Sequence, residues 1–336
     1  MLKTKKKPKV FVTRVILGEG IALLHKHFQV VVRKQSGVIS KTELYHGAKE
    51  ADALLCLLTD HIDRAFLERN RHLKIIANYA VGFDNIDIET ATRLGIVVTN
   101  TPGVLNEAVA EHTLALICAL ARRIPQADAF VRAGKYRGWD PLLFIGSDFF
   151  DKTLGIVGLG HIGLDLAKRA SQGLGFKLVY HDLHPNSQFE RHYGARYVSL
   201  PTLLKLSDFV SMHVPLLDST HHLIGARELR MMKRTSYLIN TSRGPVIDEK
   251  ALVQALRKGV IAGAALDVFE HEPKLTTGLT RLPNVVLTPH IASATVAARG
   301  KMSVLAAQGI VQSFAGKQPE NIVNPLVWRR ALLRLA

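Results

Sequence analysis

Three short segments in the second half of the chain carry side chains suited to acid–base chemistry, and each follows an apolar, strand-like run. An arginine fork suits a carboxylate, an imidazole exchanges a proton near neutral pH, and a carboxylate beside it favours its protonated form. Taken singly, the segments could be an arginine in a surface turn, a solvated acidic loop and a structural histidine. Taken together, they supply the parts that hydride transfer at a 2-oxo acid needs. They are residues 240–244 with Arg243, 266–273 with three acids before Pro273, and 287–291 with His290.

A glycine-rich turn upstream of these segments predicts a dinucleotide site. The sequence GLGHIG at 158–163 lies between a buried-strand pattern at 154–157 and a helical pattern at 164–174. Gly158, Gly160 and Gly163 would allow a tight turn, close approach of the backbone to a pyrophosphate, and packing of the helix on the strand. The pattern alone is weak, but its place between a strand and a helix strengthens it.

The next predicted strand, 177–181, ends at Asp182, which lies 19 residues after the last glycine of the turn. A carboxylate at this spacing accepts hydrogen bonds from the adenosine ribose and repels a 2′-phosphate. We therefore expect NAD rather than NADP as the cofactor. His181 and His184 are basic neighbours that could tolerate the phosphate, or they are simply solvent-exposed loop residues.

Short β-branched runs alternate with helical patterns along the chain, which is typical of open, mostly parallel α/β sheets. A long helical pattern covers 106–132, with Asn106 as its N-cap and with Pro125 as a kink or division. A last helix is predicted at about 295–315. We expect a substrate-binding domain at 1–104 plus 300–336 and a dinucleotide-binding domain inserted at 105–299. The predicted strands are 10–13, 30–32, 53–58, 75–79, 96–99, 153–157, 177–181, 209–213, 237–240, 261–266 and 285–287.

Composition argues against several other classes of protein. The 336 residues carry a net charge of +16, but the lysines cluster only at 3–9 and no basic stripe is interleaved with aromatic residues, so nucleic acid is an improbable partner. The charge instead suits a small anionic substrate and cofactor. No apolar run is long enough for a membrane span, and no signal sequence follows the basic start at 1–7. Cys56 and Cys118 are expected to be buried free thiols in a reducing compartment, and no spacing predicts a metal site.

Several motifs occur in order along the chain: 78–87 (NYAVGFDNID), 110–113 (AEHT), 139–146, 158–163, 240–244, 263–273 and 287–293. In these motifs, and over essentially its whole length, the chain resembles the D-isomer-specific 2-hydroxyacid dehydrogenases, and especially the glyoxylate/hydroxypyruvate reductases of that family. The resemblance implies two Rossmann-like, doubly wound α/β domains: a flavodoxin-like substrate-binding domain and an inserted NAD-binding domain. It also implies a cytoplasmic homodimer that associates through the cofactor domain and reversibly reduces a small 2-oxo acid to the D-2-hydroxy acid.

The resemblance also implies roles for particular residues. Arg243, Glu272 and His290 match the catalytic residues of the family, and Val81 and Gly82 match a loop whose backbone N–H groups bind the substrate carboxylate. Ser242 is assigned to the cofactor site together with its neighbour Thr241. The residues that match dinucleotide contacts are His161, Ile162, Asp182, Val214, Pro215, Thr241 and Asp267. Many NADP-using reductases of the subgroup have Arg or Ser where Asp182 stands, so their cofactor preference is not transferred.

Two alternative functions stay open at this point. Residues 137–139 and 180–182 are similar to those of phosphite dehydrogenase, in which Arg243 would bind a phosphorus oxyanion. A transcriptional corepressor that senses NADH can also retain the whole catalytic set, so fold alone does not decide.

Trp139 lies in a loop rich in glycine and proline at 134–146. Sequence alone favours a packing residue that pins this loop on its own subunit. The resemblance instead implies that Trp139 reaches the substrate pocket of the partner in a dimer, where it would favour small 2-oxo acids.

Overall fold

The computed structural model describes residues 7–335, so most of the basic run at 3–9 lies outside the described residues. The chain forms two compact units. The first ends at Leu105 and resumes at Ala294, and the second is Asn106–Ser293. The sequence predicts boundaries between the two units at 104/105 and 299/300. The second boundary lies at 293/294 in the structure, because the last long helix packs on the first unit from its first turn.

In the described part of the first unit, a parallel sheet has the strand order β2-β1-β3-β4-β5, which is the flavodoxin-like order. Central strand β4 is buried at every residue, as expected for a strand covered on both faces, whereas edge strand β2 exposes alternate residues. The strands are β1 (Lys9–Val12), β2 (Gln29–Val32), β3 (Ala53–Leu57), β4 (Ile75–Tyr79) and β5 (Val97–Thr99). The helices between them are α1 (Gly18–His27), α2 (Lys41–Ala48), α3 (Arg64–Arg69) and α4 (Ile88–Arg93).

The second unit, described throughout, has a parallel sheet with the strand order β12-β11-β10-β9-β6-β7-β8. The order reverses beside β6, which is the arrangement of dinucleotide-binding sheets. The strands are β6 (Thr153–Val157), β7 (Lys177–His181), β8 (Arg196–Tyr197), β9 (Phe209–Met212), β10 (Tyr237–Asn240), β11 (Gly263–Leu266) and β12 (Val285–Leu287). The helices are α5 (Asn106–Ala121), α6 (Ile124–Arg132), α7 (His161–Leu174), α8 (Ser187–Tyr193), α9 (Leu200–Leu206), α10 (Ala226–Met231) and α11 (Glu249–Arg257).

The predicted helix at 106–132 is divided in two, as Pro125 suggested. Arg123 adopts a left-handed conformation (φ 53°) between α5 and α6, and Pro125 lies in the first turn of α6, where its missing N–H costs nothing. Helix α5 begins at Asn106 itself, so the prediction of Asn106 as an N-cap is wrong by one position. The two-residue strand β8 was not predicted because it is too short to show alternation.

Two further helices, α12 (Val296–Phe314) and α13 (Trp328–Leu335), return to the first unit. Thr295 caps α12 by accepting a hydrogen bond from the N–H of Ala298. Helix α12 packs closely on α1, since a Cβ added to Gly20 would lie 2.1 Å from the carbonyl oxygen of Ser303. Among residues 7–335, no helix is both long enough and apolar enough to cross a membrane.

Candidate active site

Most of the predicted site residues of the second unit lie just beyond the carboxyl ends of its parallel strands. This edge of an open α/β sheet is where ligands bind, particularly where the strand order reverses. The turn 158–163 follows β6, Asp182 follows β7, and residues 214–215 come just after β9. Residues 241–243 follow β10, Asp267 follows β11, and His290 comes three residues after β12. The topology therefore brings these segments to one edge of one sheet.

The glycine turn has the geometry that a dinucleotide requires. Gly158 has a φ of 93°, and a Cβ there would lie 2.8 Å from the carbonyl of His213. A Cβ on Gly163 would lie 2.5 Å from the carbonyl oxygen of Gly158. Gly160 faces open space and caps α7 without a side-chain hydrogen bond, so the first N–H groups of a 14-residue helix are available to a diphosphate. The residues present fit the pyrophosphate of NAD.

Asp182 is held beside this turn by backbone donors. Its Oδ2 accepts a hydrogen bond from the N–H of Leu159 at 2.6 Å, and its Oδ1 accepts one from the N–H of Leu183 at 2.6 Å. The Nδ1 of His181 donates to the carbonyl of Val198 at 3.0 Å, and His184 is exposed. Each carboxylate oxygen keeps a lone pair that a ribose hydroxyl can use.

Val214 and Pro215 border the same turn. A Cβ on Gly158 would lie 2.9 Å from the backbone nitrogen of Val214. The carbonyl of Pro215 accepts a hydrogen bond from the Thr220 hydroxyl at 2.6 Å, which fixes the loop beyond β9.

The loop that carries Arg243 is folded by the side chain of Asn240, which is 1% exposed. Its Nδ2 donates to the carbonyl of Arg243 at 2.9 Å, and its Oδ1 accepts hydrogen bonds from the N–H and hydroxyl of Ser242. Gly244 packs on the next loop so closely that a Cβ would lie 1.9 Å from the carbonyl carbon of Phe269. This contact joins the arginine loop to the segment that carries Glu272.

Glu272 and His290 form a hydrogen-bonded pair although 17 residues separate them. The Nδ1 of His290 donates to Oε2 of Glu272 at 3.0 Å, and both side chains are partly exposed. The other carboxylate oxygen of Glu272 accepts from the N–H of Phe269 at 3.0 Å. This arrangement fixes the imidazole through Nδ1 and leaves Nε2 for a reacting group.

His290 has a left-handed backbone (φ 56°), which is unfavourable for a residue with a Cβ. Asp267 holds that conformation in place. Its carbonyl accepts the N–H of His290 at 2.8 Å, and its carboxylate accepts the N–H groups of Ile291 and Ala292 at 2.9 and 2.8 Å. Burial opposes ionisation of Asp267, but hydrogen bonds from His112, Thr288 and these N–H groups hold the pKa of its carboxyl below the ordinary value.

The structure therefore places the Asp267 carboxylate, which is 0% exposed, against the His290 loop. Glu270 is also largely buried: its Oε1 accepts from Nε2 of His222 at 2.8 Å and its Oε2 from the N–H of Glu249 at 3.2 Å. Interpreting the acids at 267–272 as a solvated loop is wrong for both residues.

Consecutive residues of α5 contact two of these loops. The His112 Nε2 lies 3.2 Å from the Thr288 hydroxyl and 3.4 Å from Asp267, and the Thr113 hydroxyl lies 2.8 Å from that of Thr241. Sequence reasoning gave these residues no role, although the motif at 110–113 pointed to the segment.

Val81 and Gly82 lie in the first unit, in the loop after β4. The carbonyl oxygens of Ala80, Val81 and Gly82 are all hydrogen-bonded, to the N–H of Thr101 and to the side chains of Asn100 and Asn78. Among residues 7–335, the N–H groups of Val81 and Gly82 have no protein acceptor. The loop thus offers two backbone donors to an anion.

Trp139 is 83% exposed, so its interpretation as a residue that packs on its own subunit is wrong. It belongs to an exposed apolar segment at 124–145 that includes α6, a helix with no buried residue. The large exposed side chains of this segment are Ile124, Val131, Tyr136, Trp139, Leu142, Leu143 and Ile145.

Comparison with known proteins agrees with this geometry. Residues 114–292 match the family described as D-isomer specific 2-hydroxyacid dehydrogenase, NAD binding domain. The chain belongs to this family, and it is a nicotinamide-dependent oxidoreductase acting on a CH–OH group. The predicted family, fold class and type of enzyme are confirmed.

Relatives of known name narrow the comparison. The chain is 51% identical to a glyoxylate reductase of Thermococcus litoralis, covering 95% of this chain and 97% of that protein. It is 48% identical to a glyoxylate reductase of Korarchaeum cryptofilum, covering 95% and 96%. Among solved structures, an NADPH-dependent glyoxylate/hydroxypyruvate reductase from Sinorhizobium meliloti, in complex with NADP and malonate, has a TM-score of 0.82 at 31% identity and covers 95% and 97%.

Proposed function

We propose that this protein reduces glyoxylate or hydroxypyruvate to the corresponding 2-hydroxy acid with NADH, in a reversible reaction. The observation that carries the proposal is the pairing of Glu272 with His290, on loops at the strand ends of a dinucleotide-binding sheet. The names of the similar reductases support the substrate class.

The nicotinamide, when bound, supplies the hydride in reduction and accepts it in oxidation. His290 donates the proton from Nε2 to the carbonyl oxygen of the substrate, while Glu272 keeps the ring oriented through Nδ1 and stabilises the imidazolium. Arg243 binds the substrate through its guanidinium and polarises the carbonyl. The N–H groups of Val81 and Gly82 bind the carboxylate.

The cofactor is held by the turn 158–163, with the N–H groups of His161 and Ile162 directed to the diphosphate. Asp182 binds the ribose, and Val214, Pro215, Thr241 and Ser242 line the rest of the cofactor site. Two backbone donors hold the Asp182 side chain beside the turn, where its negative charge would repel a 2′-phosphate and so favour NAD over NADP. Asp267 acts through the His290 loop that it holds.

We further propose a cytoplasmic homodimer that associates through the cofactor-binding unit. The exposed apolar segment 124–145 supports this arrangement, because such surfaces mark interaction sites. Trp139 would reach the substrate pocket of the partner and limit the size of the substrate.

A turnover panel with NADH and NADPH tests the function, monitored at the nicotinamide absorbance band. Glyoxylate and hydroxypyruvate should be reduced with NADH. Phosphite oxidation with NAD in place of these activities would favour the phosphite dehydrogenase alternative. Tight NADH binding without turnover of any of these compounds would favour a corepressor.

A further inference from the structure

We propose that Asn100 is a positioning residue that aims the backbone N–H group of Gly82, beside that of Val81, at the carboxylate of the substrate, and that Asn78 fixes the following peptide of the same loop. The proposal rests on the proposed function, in which these N–H groups bind that carboxylate. It adds the reason why they are available: neighbouring amides hold the carbonyl oxygens of the same loop away from the anion.

The argument begins with the planarity of the peptide bond. In a trans peptide the C=O of one residue and the N–H of the next point in opposite directions. The carbonyl of Ala80 accepts the N–H of Thr101 at 2.8 Å, so the N–H of Val81 points away from Thr101. The carbonyl of Val81 accepts Nδ2 of Asn100 at 2.7 Å, so the N–H of Gly82 points away from Asn100.

Because Asn100 and Thr101 are adjacent, both N–H groups are directed away from the same short segment. Successive N–H groups turned to one side form a concave site for an anion. Asn78 fixes the next peptide of the loop, since its Nδ2 donates to the carbonyl of Gly82 at 2.9 Å and thereby turns the N–H of Phe83 away from Asn78.

Both asparagines are themselves fixed. Asn78 is 0% exposed, and its Nδ2 also lies 3.1 Å from Oδ1 of Asn85, whose own Nδ2 donates to the carbonyls of Leu57 and Asp60. The backbone of Asn100 pairs with Asn321, which accepts its N–H and donates a side-chain N–H to its carbonyl. Asn100 therefore cannot shift without breaking contacts with a second segment of the same unit.

The side-chain amide of Asn100 is well suited to holding the carbonyl of Val81. It donates to a carbonyl and carries no charge at any pH, so it neither competes with Arg243 for the carboxylate nor titrates near the substrate. An aspartate of the same size would lose the donor and face the Val81 carbonyl with a second acceptor. The Val81–Gly82 peptide would then lose its orientation, and one charge-assisted hydrogen bond to the substrate would be lost with it.

The test is the affinity of oxalate, a dicarboxylate that needs no turnover, for the NADH-loaded protein, followed by NADH fluorescence. Asn100→Asp and Asn100→Ala should raise the Kd of oxalate, and the KM for glyoxylate, by about 10- to 100-fold, the loss expected for one charge-assisted hydrogen bond. The Kd of NADH should stay within about twofold, and kcat should fall less than KM rises.

Asn324→Ala is the matched control. Asn324 is also a buried asparagine of the first unit, and it bonds to Val98, Thr92 and Ile96 but not to the loop at 80–82. This variant should lower thermal stability and leave the Kd of oxalate unchanged. Thermal unfolding of all variants separates folding from binding.

The outcomes distinguish the proposal from the proposed function. If the Asn324 and Asn100 variants raised the Kd of oxalate equally, Asn100 would act only through the stability of the fold. If neither Asn100 variant changed the Kd of oxalate, the positioning role would be excluded. Wild-type protein that fails to bind oxalate would overturn the positioning role. Wild-type protein that binds oxalate but reduces no 2-oxo acid would reject the proposed function and leave the positioning role to the Asn100 comparison.

Discussion

The two units hold their predicted substrate and catalytic loops with different chemistry. In the first unit, the loop at 80–82 is held by neutral amides and backbone N–H groups. In the second, the His290 loop is held by the buried carboxylate of Asp267, and the Glu272 segment by the largely buried Glu270 with His222. An anion site benefits from dipoles that do not change with pH, whereas a proton-transfer group needs charges that stabilise its imidazolium. The difference predicts that carboxylate binding and proton transfer respond separately to mutation and to pH.

The largest effect is expected at the proton-transfer group. His290→Ala should lower kcat by a factor of about 10² to 10⁴, because a positioned acid/base is lost, and should leave NADH binding largely intact. Steady-state kinetics and NADH titration measure the two quantities. Glu272→Gln is the graded comparison: it keeps the size of the side chain but removes the anion beside His290, so it should lower kcat less than His290→Ala does. Near-normal kcat in His290→Ala would assign the proton to another group.

The second prediction concerns the Asp267 carboxylate, which holds the His290 loop. Asp267→Asn keeps the shape but turns an amide N–H toward backbone donors, so it should cost about 1–3 kcal/mol of stability and reduce kcat roughly tenfold or more. The lowered pKa of Asp267 means that the fold favours the carboxylate. Its stabilising contribution is complete above the unfolded value of about 4 and is lost as the pH falls below it.

Unfolding midpoints measured from pH 7 to pH 3 check this sign. The wild type should lose more stability on acidification than Asp267→Asn does, because the variant has no carboxylate to protonate. Asn100→Ala serves as the comparison from the loop at 80–82, which is held by uncharged groups. This variant should lose as much stability on acidification as the wild type does. Parallel curves for the wild type and Asp267→Asn would show that Asp267 contributes nothing through its charge.

The third prediction concerns Trp139, which lies in the exposed segment 124–145, outside both the loop at 80–82 and the His290 loop. Trp139→Ala should relax selectivity toward bulkier 2-oxo acids by roughly tenfold, the usual discrimination of an apolar pocket wall, without weakening NADH binding. The ratio of kcat/KM for glyoxylate to that for a larger 2-oxo acid is the measurement. Val131→Ala, a truncation in the same exposed segment, serves as the control and should keep the wild-type ratio. Unaltered selectivity in a dimeric Trp139 variant would remove this residue from the pocket.

The smallest effect concerns the cofactor. The wild type should use NADH with a higher kcat/KM than NADPH, and Asp182→Ala should narrow the gap several-fold by weakening ribose binding and relieving repulsion of the 2′-phosphate. Asp182→Asn removes the charge and keeps one of the two acceptor oxygens, so its comparison with Asp182→Ala reports how much of the preference for NADH comes from repulsion of the 2′-phosphate. Equal or better use of NADPH by the wild type would contradict the assignment.

Sequence alone predicted the elements whose signals are local. The glycine turn, strands such as 75–79 and 153–157, and the division of the helix near Pro125 all follow from periodicity and from the dihedral preferences of glycine and proline. The class of ligand, a dinucleotide, could also be predicted, because a glycine-rich turn between a strand and a helix is typical of dinucleotide sites. Arg243 and His290 could be selected because each follows a strand-like run, whereas the choice of Glu272 among the acids at 267–272 came from the resemblance to the family.

What holds these residues was decided by tertiary contacts between distant segments. His112 meets Thr288 across 176 positions, and Asn324 meets the N–H of Val98 across 226. No window of sequence shows that Asp267 is buried while Trp139 is exposed, since an aspartate is ordinarily exposed and a tryptophan ordinarily largely buried. Burial depends on which elements pack over a residue, and a buried charge survives only where several donors converge on it from separate parts of the chain.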